Sequence, residues 1–311
     1  MDADQTDPGS RIGALAAFGS QPKLCLESMA KVDFGAVTHA GKVRKKNEDH
    51  YLVGRLGRSL EPLMTNMPPG QLPEHLAEYG YGMLVADGMG GAAAGEVASR
   101  MAINLLVKLI IDTAKWGRRI DEEEAEALMG RIESYYKAIH SELIRQAELN
   151  PAITGMGTTL TVAYSFCSDL FVAHVGDSRA YLFREGQLRQ LTHDHTFAQR
   201  LADIGDIAQE EVAKHRLRHL LTNVLGGHRG PVVTELAQFQ LADRDRLLLC
   251  SDGLTDMIDD AAIQGVLHDI EPPQKAAEKL LDLALDAGGK DNITIVLARY
   301  AFSEQTPDAE S

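Results

Sequence analysis

Four acidic residues stand at the ends of apolar runs that are typical of β-strands. They are Asp87, Asp177, Asp252 and Asp291. Strand ends are where a rigid scaffold presents functional groups, and a further acidic pair, Glu48-Asp49, lies nearer the beginning of the chain. Carboxylates that converge on one place repel one another and stay ionised together only when cations neutralise them. If the fold gathers these residues, the pattern predicts a metal site.

Each of these residues taken alone has a simpler interpretation. An Asp-Gly pair after a strand, such as Asp87-Gly88 or Asp252-Gly253, is more often a hairpin turn than a metal ligand. The segment 87–91 has more glycine than a two-residue turn needs, which indicates close backbone approach. It also leads into a predicted helix rather than a return strand. The full set of strand-end carboxylates therefore favours the metal interpretation.

The types of ligand in this set restrict the metal. It contains neither a cysteine pair nor a histidine. Ligands that are all oxygen select magnesium, manganese or calcium. Two such ions about 3.5–4 Å apart can clamp a phosphoryl group and activate water.

The elements that must position these residues come as groups of strands and pairs of helices. We predict a strand over 81–86, helices over 93–115 and 121–149, short strands over 158–191, a polar helical segment over 195–222, strands over 232–239 and 246–250, a helix over 273–287 and a strand over 292–300. Strict alternation of strand and helix is missing. This favours an α+β fold with antiparallel sheets over a doubly wound parallel sheet.

The bulk composition limits the class of partner. The 311 residues carry a net charge of −14, and an acidic surface repels nucleic acid and anionic lipid. The most apolar helical stretch, 102–111, is too short to span a bilayer. The three cysteines are far apart and odd in number. They indicate unpaired thiols in a reducing cytoplasm rather than a disulfide framework.

Seven short motifs follow one another between about Phe34 and Tyr300. They are Arg44-x-x-Asn47-Glu48-Asp49, Val85-Ala86-Asp87-Gly88-Met89-Gly90-Gly91, Gly155-Met156-Gly157-Thr158-Thr159-Leu160, Val175-Gly176-Asp177-Ser178-Arg179, Leu191-Thr192-x-Asp194-His195, Leu249-Cys250-Ser251-Asp252-Gly253-Leu254-Thr255-Asp256 and Asp291-Asn292-Ile293-Thr294. In this order they resemble the PPM (type 2C) family of metal-dependent serine/threonine protein phosphatases, of bacterial type. One such motif is weak evidence, whereas seven in order are highly specific.

The resemblance implies a four-layer αββα sandwich, in which two antiparallel β-sheets pack face to face between helix pairs. It places a binuclear centre in the cleft at one edge of the sandwich. We expect a flexible leader over 1–30, a single phosphatase domain over 31–302 and a disordered tail over 303–311. Within the domain, we interpret 55–80 as an inserted loop and 195–229 as a mobile flap beside the cleft.

The resemblance also implies roles for individual residues in holding two ions, Mn²⁺ or Mg²⁺. Asp87 bridges both ions. The Gly88 carbonyl and Glu48 serve one ion, while Asp252 and Asp291 serve the other.

Four further positions complete the implied site. Asp49 acts from behind the ligands or through a water, and Asp177 together with Asp252 could hold a third, weaker ion. Arg44 corresponds to the arginine that binds phosphate, and its planar fork suits two phosphate oxygens. Met89 stands where animal relatives have a histidine, so we expect metal-bound water to act as the general acid.

The implied reaction is hydrolysis of phosphoserine and phosphothreonine in proteins. A water activated by the binuclear metal attacks phosphorus directly, with no phosphoenzyme. We expect a cytoplasmic signalling enzyme, a monomer, that opposes a serine/threonine kinase and has no nucleic-acid or membrane partner.

Other phosphatase chemistries lack their residues here. A cysteine phosphatase is excluded because no cysteine is followed six residues later by arginine. A phosphoaspartate enzyme of the haloacid dehalogenase type is excluded because Asp243-Arg244-Asp245-Arg246 is followed by Leu247 rather than Thr or Val. A P-loop is excluded because Gly289-Lys290 lacks the upstream glycine.

Two alternatives stay open: a phosphoprotein-binding module without turnover, and a two-metal phosphoesterase acting on small molecules or nucleic acid. His215 and His219 have the spacing of a helical metal pair, but a histidine-rich flap face is usually just solvated. The functional interpretation that we prefer for them is substrate docking.

Overall fold

A computed structural model describes residues 30–60, 64, 76–90, 94–113 and 122–302 of the chain. Within these ranges the first antiparallel sheet has the strand order β1 (Lys31–His39), β13 (Ile293–Ala301), β12 (Arg246–Cys250), β8 (Arg179–Arg184) and β9 (Gln187–Gln190). The second has the order β11 (Glu235–Gln240), β7 (Asp169–Val175), β6 (Leu160–Phe166), β3 (Leu76–Ala86) and β2 (His50–Leu60). A small third sheet joins β10 (Leu225–Gly226), β5 (Gly157–Thr158) and β4 (Gly88–Met89).

The described ranges contain α1 (Ala94–Thr113), α2 (Glu122–Leu149), α3 (Phe197–Asp203), α4 (Asp252–Thr255), α5 (Asp260–Asp269) and α6 (Pro273–Asp286). The long helices pack on the two outer faces of this pair of sheets, α1 and α2 on the second sheet and α5 and α6 on the first, whereas α3 lies in the flap. Two short 3₁₀ helices cover Pro151–Ile153 and Gln209–Lys214.

Three hydrophobic clusters separate four layers. Because side chains alternate across a strand, Leu84 and Ala86 of β3 face α1 and α2, whereas Met83 and Val85 face the other sheet. In β12, Leu247 and Leu249 likewise lie between the sheets, while Leu248 and Cys250 pack under α5 and α6. The predicted four-layer αββα sandwich is confirmed.

The strand pairing brings distant segments of the chain to one edge of the sandwich. In β2 and β3, His50 pairs with Ala86, so Glu48-Asp49 and Asp87 emerge side by side. In β12 and β13, Cys250 pairs with Ile295, which places Asp252 and Asp291 together at the same end of the other sheet. The sequence separation of these residues is therefore no guide to their distance in the fold.

Several expectations from the sequence need correction. Residues 55–60 and 76–80 belong to the paired strands β2 and β3, so they are not part of the inserted loop predicted over 55–80. Residues 61–63 and 65–75 lie outside the described residues. The segment 195–222 is helical only in α3 and the short 3₁₀ helix, and residues 216–219 form turns. Gly205, with a φ of +79°, follows α3 and stops a continuous helix. The nine-residue strand β1 and the helix α5 were not predicted.

The cysteines also differ from expectation. Cys167 is disulfide-bonded, and Cys250 is free and buried. The prediction of unpaired thiols is therefore wrong for Cys167.

In the described part of the chain, no helix has the length and apolar character needed to cross a membrane. The predicted leader and tail lie almost wholly outside the described residues.

Candidate metal centre

A cleft of about 1000 Å³ opens at the edge of the sandwich where these strand ends meet. Seven of the eight residues predicted for the site line this cleft: Arg44, Glu48, Asp87, Gly88, Asp177, Asp252 and Asp291. The eighth, Asp49, is 4% exposed and lies behind the cleft wall. The fold therefore gathers residues that span most of the described chain.

The backbone of Asp87 is held by two threonines of the neighbouring segment. Its N–H donates to Thr159 Oγ1 at 2.9 Å, and its carbonyl accepts from Thr159 N at 2.9 Å and from Thr158 Oγ1 at 2.8 Å. Thr159 Oγ1 also lies 2.8 Å from Ser178 Oγ, next to Asp177. These bonds fix where β3 ends and therefore where the Asp87 carboxylate points into the cleft.

The carboxylate of Glu48 and the carbonyl of Gly88 share one small space. A Cβ atom added at Gly95, at the start of α1, would lie 2.6 Å from Glu48 Oε2 and 2.7 Å from Gly88 O. Both oxygens therefore lie around the missing side chain of one glycine. Glycine at 95 therefore lets these two oxygen donors lie close together, and the cradle that they form is one that a side chain at 95 would fill.

Asp49 is a buried carboxylate in which one of the two oxygens has no hydrogen-bond partner. Its Oδ2 accepts from Ser251 Oγ at 2.7 Å, while Oδ1 is buried without a partner. Burial raises the pKa of Asp49 to about 6, although the bond from Ser251 opposes the shift. A buried carboxylate oxygen without a partner is costly, and a nearby cation would relieve that cost.

The central carboxylates repel one another. Burial, followed by the negative charges of Asp49 and Asp252, raises the pKa of Asp87 well above its usual value. Burial, followed by Asp177 and Asp256, does the same for Asp252, whose Oδ1 is also buried without a partner. A cluster of this kind is stable in its ionised form only with cations. The all-oxygen donors and the unpaired oxygens therefore fit hard divalent ions such as Mg²⁺ and Mn²⁺.

Asp177 follows Gly176, whose backbone is hydrogen-bonded to His195, the first residue of the flap. The carbonyl of Gly176 accepts from His195 N at 2.7 Å and from His174 Nε2 at 2.9 Å, and Gly176 N donates to His195 Nδ1 at 3.1 Å. Gly176 has a φ of +117°, and a Cβ there would come within 2.5 Å of Thr159. Burial, followed by Asp194 and Asp256, raises the pKa of Asp177 to about 7.

Arg44 extends into the cleft from the loop after β1. Its Nη2 donates to Asp291 Oδ2 at 2.6 Å, and the other oxygen, Oδ1, accepts from Asn292 N at 2.8 Å. The Arg44 side chain is 58% exposed, so it remains open to a ligand. The bond to Asp291 is the main reason that the pKa of Arg44 is raised.

The two flap histidines do not form the helical pair that their spacing allows. Residues 216–219 are a turn, and His215 Nδ1 accepts from the nearby Leu217 N at 3.3 Å. His219 instead lines the cleft, with its Nδ1 3.3 Å from Asp256 Oδ2. His219, Asp252 and Asp256 each place a ligand atom within 4.8 Å of the others.

Sequence reasoning missed several residues that shape this cleft. They are Gly95, Thr158, Thr159, Ser251, Asp256 and Asn292, all but Gly95 within motifs that were recognised without a role for them. Their effect comes from backbone contacts between distant segments, which residue type and spacing do not reveal.

Comparison with known proteins places the fold and the cleft in a family. Residues 75–283 match the sequence profile described as "Protein phosphatase 2C". Over 228 residues, 72% of this chain, the protein is 41% identical to the serine/threonine protein phosphatase PstP of Mycobacterium tuberculosis, but the match covers only 42% of PstP. The chain thus matches less than half of the length of that relative.

Two further relatives are covered more fully. The serine/threonine phosphatase stp of Listeria innocua is 35% identical over 73% of this chain and 87% of its own. The crystal structure of the PstP catalytic domain in complex with two manganese ions is 34% identical, with a TM-score of 0.68 over 88% of this chain and 100% of that one. The sandwich, the cleft at its edge and these similarities agree: the chain belongs to the protein phosphatase 2C family and is of the bacterial PPM type.

Proposed function

We propose that this protein is a metal-dependent phosphatase that hydrolyses phosphoserine and phosphothreonine in proteins, using two Mn²⁺ or Mg²⁺ ions. The observation that carries the proposal is the convergence of buried carboxylates whose oxygens Asp49 Oδ1 and Asp252 Oδ1 have no partner. The two manganese ions in the related PstP catalytic domain support the choice and number of ions.

The ligands divide between two ions according to their positions. Asp87, central among the carboxylates, would contact both ions. Glu48 and the Gly88 carbonyl, which face one space beside Gly95, would hold one of them. Asp252 and Asp291 would hold the other.

Three more residues have proposed parts in the site. Asp49, fixed by Ser251, would stabilise the ligands from behind or through a water. Asp177 and Asp252 would hold a third, weaker ion. Arg44, exposed at the mouth of the cleft, would bind two phosphate oxygens through its planar fork.

Two such ions, held by these residues, would supply a bound water of lowered pKa and would neutralise charge on the phosphate oxygens. The chain's own groups orient the reaction. Thr158 and Thr159 hold the backbone of Asp87, and Arg44 would align the phosphate. Met89 is 38% exposed beside the cleft and has no proton to give, so the leaving oxygen takes its proton from water.

Direct attack by water, without a phosphoenzyme, fits the side chains present. Among the described residues that line the cleft there is no cysteine and no serine. Cys250 is fully buried, and burial raises the pKa of its thiol to about 12, so it is not a thiolate nucleophile. A rapid-quench experiment with ³²P-labelled phosphopeptide should give labelled phosphate and no labelled protein.

The proposal extends to the organisation and setting of the chain. We propose one phosphatase domain over 31–302, preceded by a leader and followed by a tail, acting as a monomer on phosphoproteins made by a serine/threonine kinase. We also propose a cytoplasmic location. The disulfide at Cys167 is unusual for that compartment. Cell fractionation would check the location, and redox trapping would check whether the disulfide forms in the cell.

The decisive experiment measures hydrolysis of a phosphothreonine peptide and of p-nitrophenyl phosphate, with Mn²⁺ and with EDTA. Turnover that requires Mn²⁺ supports the proposal. Manganese binding without turnover of either substrate would favour a phosphoprotein-binding module. Faster hydrolysis of nucleotides than of phosphopeptides would favour a small-molecule phosphoesterase.

A further inference from the structure

Three exposed lysines surround one side of the cleft mouth. Lys45, Lys46 and Lys290, here termed the lysine rim, all line the cleft. Among the described residues, none of the three forms an ion pair: in this part of the cleft, Arg44 alone is paired, with Asp291. The rim therefore presents three ammonium groups that the protein itself leaves unneutralised.

The backbone that carries the rim is fixed by one side chain. Asn292 Nδ2 donates to Lys46 O at 2.8 Å and to Ala40 O at 3.0 Å, and its Oδ1 accepts from Glu48 N at 2.8 Å. Lys42 N also donates to Gly289 O at 2.6 Å. The loop before β2 is thus attached to the segment that carries Lys290, and the three lysines belong to one rigid surface.

The cations that the flap contributes to the cleft lining are different. Arg218 and His219 both lie near Asp256, with N···O distances of 3.7 and 3.3 Å. Positive charge on the flap is therefore partly compensated within the protein. Among the described residues that line the cleft, the lysine rim therefore offers free positive charge next to Arg44, the proposed phosphate-binding residue.

The lysine rim is a positively charged surface on a protein whose net charge is strongly negative. A net charge of −14 repels an acidic ligand at long range. Lysines kept unpaired at the mouth of the cleft attract negative groups that approach it closely, and charged groups at the rim of an interface favour partners of opposite sign. The proposed function already assigns the phosphate itself to Arg44 and the two metal ions.

We propose that the lysine rim selects phosphoprotein substrates that carry aspartate or glutamate within a few residues of the phosphorylated side chain. This inference rests on the proposed phosphatase function. Because successive residues of an extended peptide are about 3.3 Å apart, side chains flanking the phosphoresidue reach the rim while the phosphate occupies the cleft. The rim is a specificity element and takes no part in the chemical step.

The test compares two phosphothreonine peptides that differ only in their flanking residues, one with Asp and Glu and one with Asn and Gln. With Mn²⁺ present, we expect kcat/KM to be about tenfold higher for the acidic peptide, which corresponds to about 1.4 kcal/mol. The difference should lie in KM. It should shrink as NaCl is raised from about 50 to 500 mM, because salt screens exposed charges.

A charge-reversal variant and a matched control complete the experiment. Lys45→Glu/Lys46→Glu should abolish or invert the preference for the acidic peptide. Lys275→Glu/Lys279→Glu makes the same change of charge on two exposed lysines of α6, and should keep the preference. Retention of the preference in the rim variant would overturn the inference, as would its loss in the control, because the effect would then come from net charge.

The outcomes also separate this inference from the proposed function. Equal hydrolysis of both peptides by the unmodified protein would refute the lysine rim and leave the phosphatase assignment standing. If neither peptide is hydrolysed with Mn²⁺, the proposed function itself fails. Circular dichroism of each variant checks that these surface changes leave the fold intact.

Discussion

The Arg44 guanidinium and the Asp291 carboxylate are joined by a 2.6 Å hydrogen bond across a sequence separation of 247 residues. The arginine assigned to phosphate is therefore bonded to a carboxylate assigned to a metal ion. A cation on Asp291, as proposed, would withdraw negative charge from this pair and favour release of Arg44. The proposed binding of metal and of phosphate would then be linked through this pair of side chains.

Removal of the guanidinium should weaken phosphate binding more than it affects the chemical step. For Arg44→Ala we expect KM for a phosphopeptide to rise about tenfold or more, since hydrogen bonds between charged groups contribute roughly 1.5–3 kcal/mol. The change in kcat should be small by comparison. Steady-state kinetics with saturating Mn²⁺ measure both.

Arg44→Lys is the matched control for this substitution. It keeps the charge but loses the planar fork, so its KM should lie between that of the unmodified protein and that of Arg44→Ala. Unchanged kinetics in both variants would remove Arg44 from the site.

The carboxylate of Asp252 is expected to be essential for turnover and dispensable for folding. Asp252→Asn should abolish activity and weaken Mn²⁺ binding in calorimetry. Because the substitution removes one of several mutually repelling charges, the metal-free variant should melt at or above the temperature of the metal-free parent. Activity at the parent level would refute the assignment of Asp252 as a ligand.

The absent side chain of Gly95 is predicted to be a requirement of the metal site. In Gly95→Ala the new methyl group would lie 2.6 Å from Glu48 Oε2, so Glu48 must move. We expect Mn²⁺ affinity to fall by about tenfold or more, in the range found when the surroundings of metal ligands are altered.

Gly130→Ala is the control, because it is also a helical glycine and nothing lies within 4 Å of its added Cβ. That variant should bind Mn²⁺ normally and gain up to about 1 kcal/mol of stability. Equal Mn²⁺ affinity in both glycine variants would contradict the cradle.

Much of the fold and of the site could be predicted from particular residues. The apolar runs before Asp87 and Asp252 predicted strands with functional ends, and the structure places both carboxylates in one cleft. The helical periodicity of 121–149 predicted α2 almost to its ends. These features are local, so residue order alone encodes them.

The parts that could not be predicted depend on contacts between distant segments. Gly95 matters because α1 packs against the turn at Gly88, and Asn292 matters because it bonds to the loop at Lys46. Residues 215–219 have helical spacing but form a turn, since the flap is shaped by contacts such as His219 with Asp256. The spacing of residue types along the sequence does not reveal contacts with residues that are distant in sequence.

Removal of the metal should make stability fall as pH rises. Burial raises the pKa of Asp49 to about 6 and that of Asp177 to about 7, above the ordinary value near 3.8. A carboxyl with a raised pKa binds its proton more tightly in the folded state, so its contribution is full at low pH and is lost as pH rises through about 6–7. The melting temperature of the EDTA-treated protein should therefore decrease between pH 5 and 8.

Manganese should cancel this decrease, because the ions replace the protons and bind more tightly as the carboxylates ionise. Exposed carboxylates respond to pH as well, so the informative quantity is the difference between the parent and Asp177→Asn. That variant has no proton to lose at this position, and its metal-free melting temperature should fall less steeply over the same range. If the metal-free melting temperatures of the parent and of Asp177→Asn depend on pH equally between pH 5 and 8, these carboxylates do not crowd one another in solution, and the need for two cations would lose its physical basis.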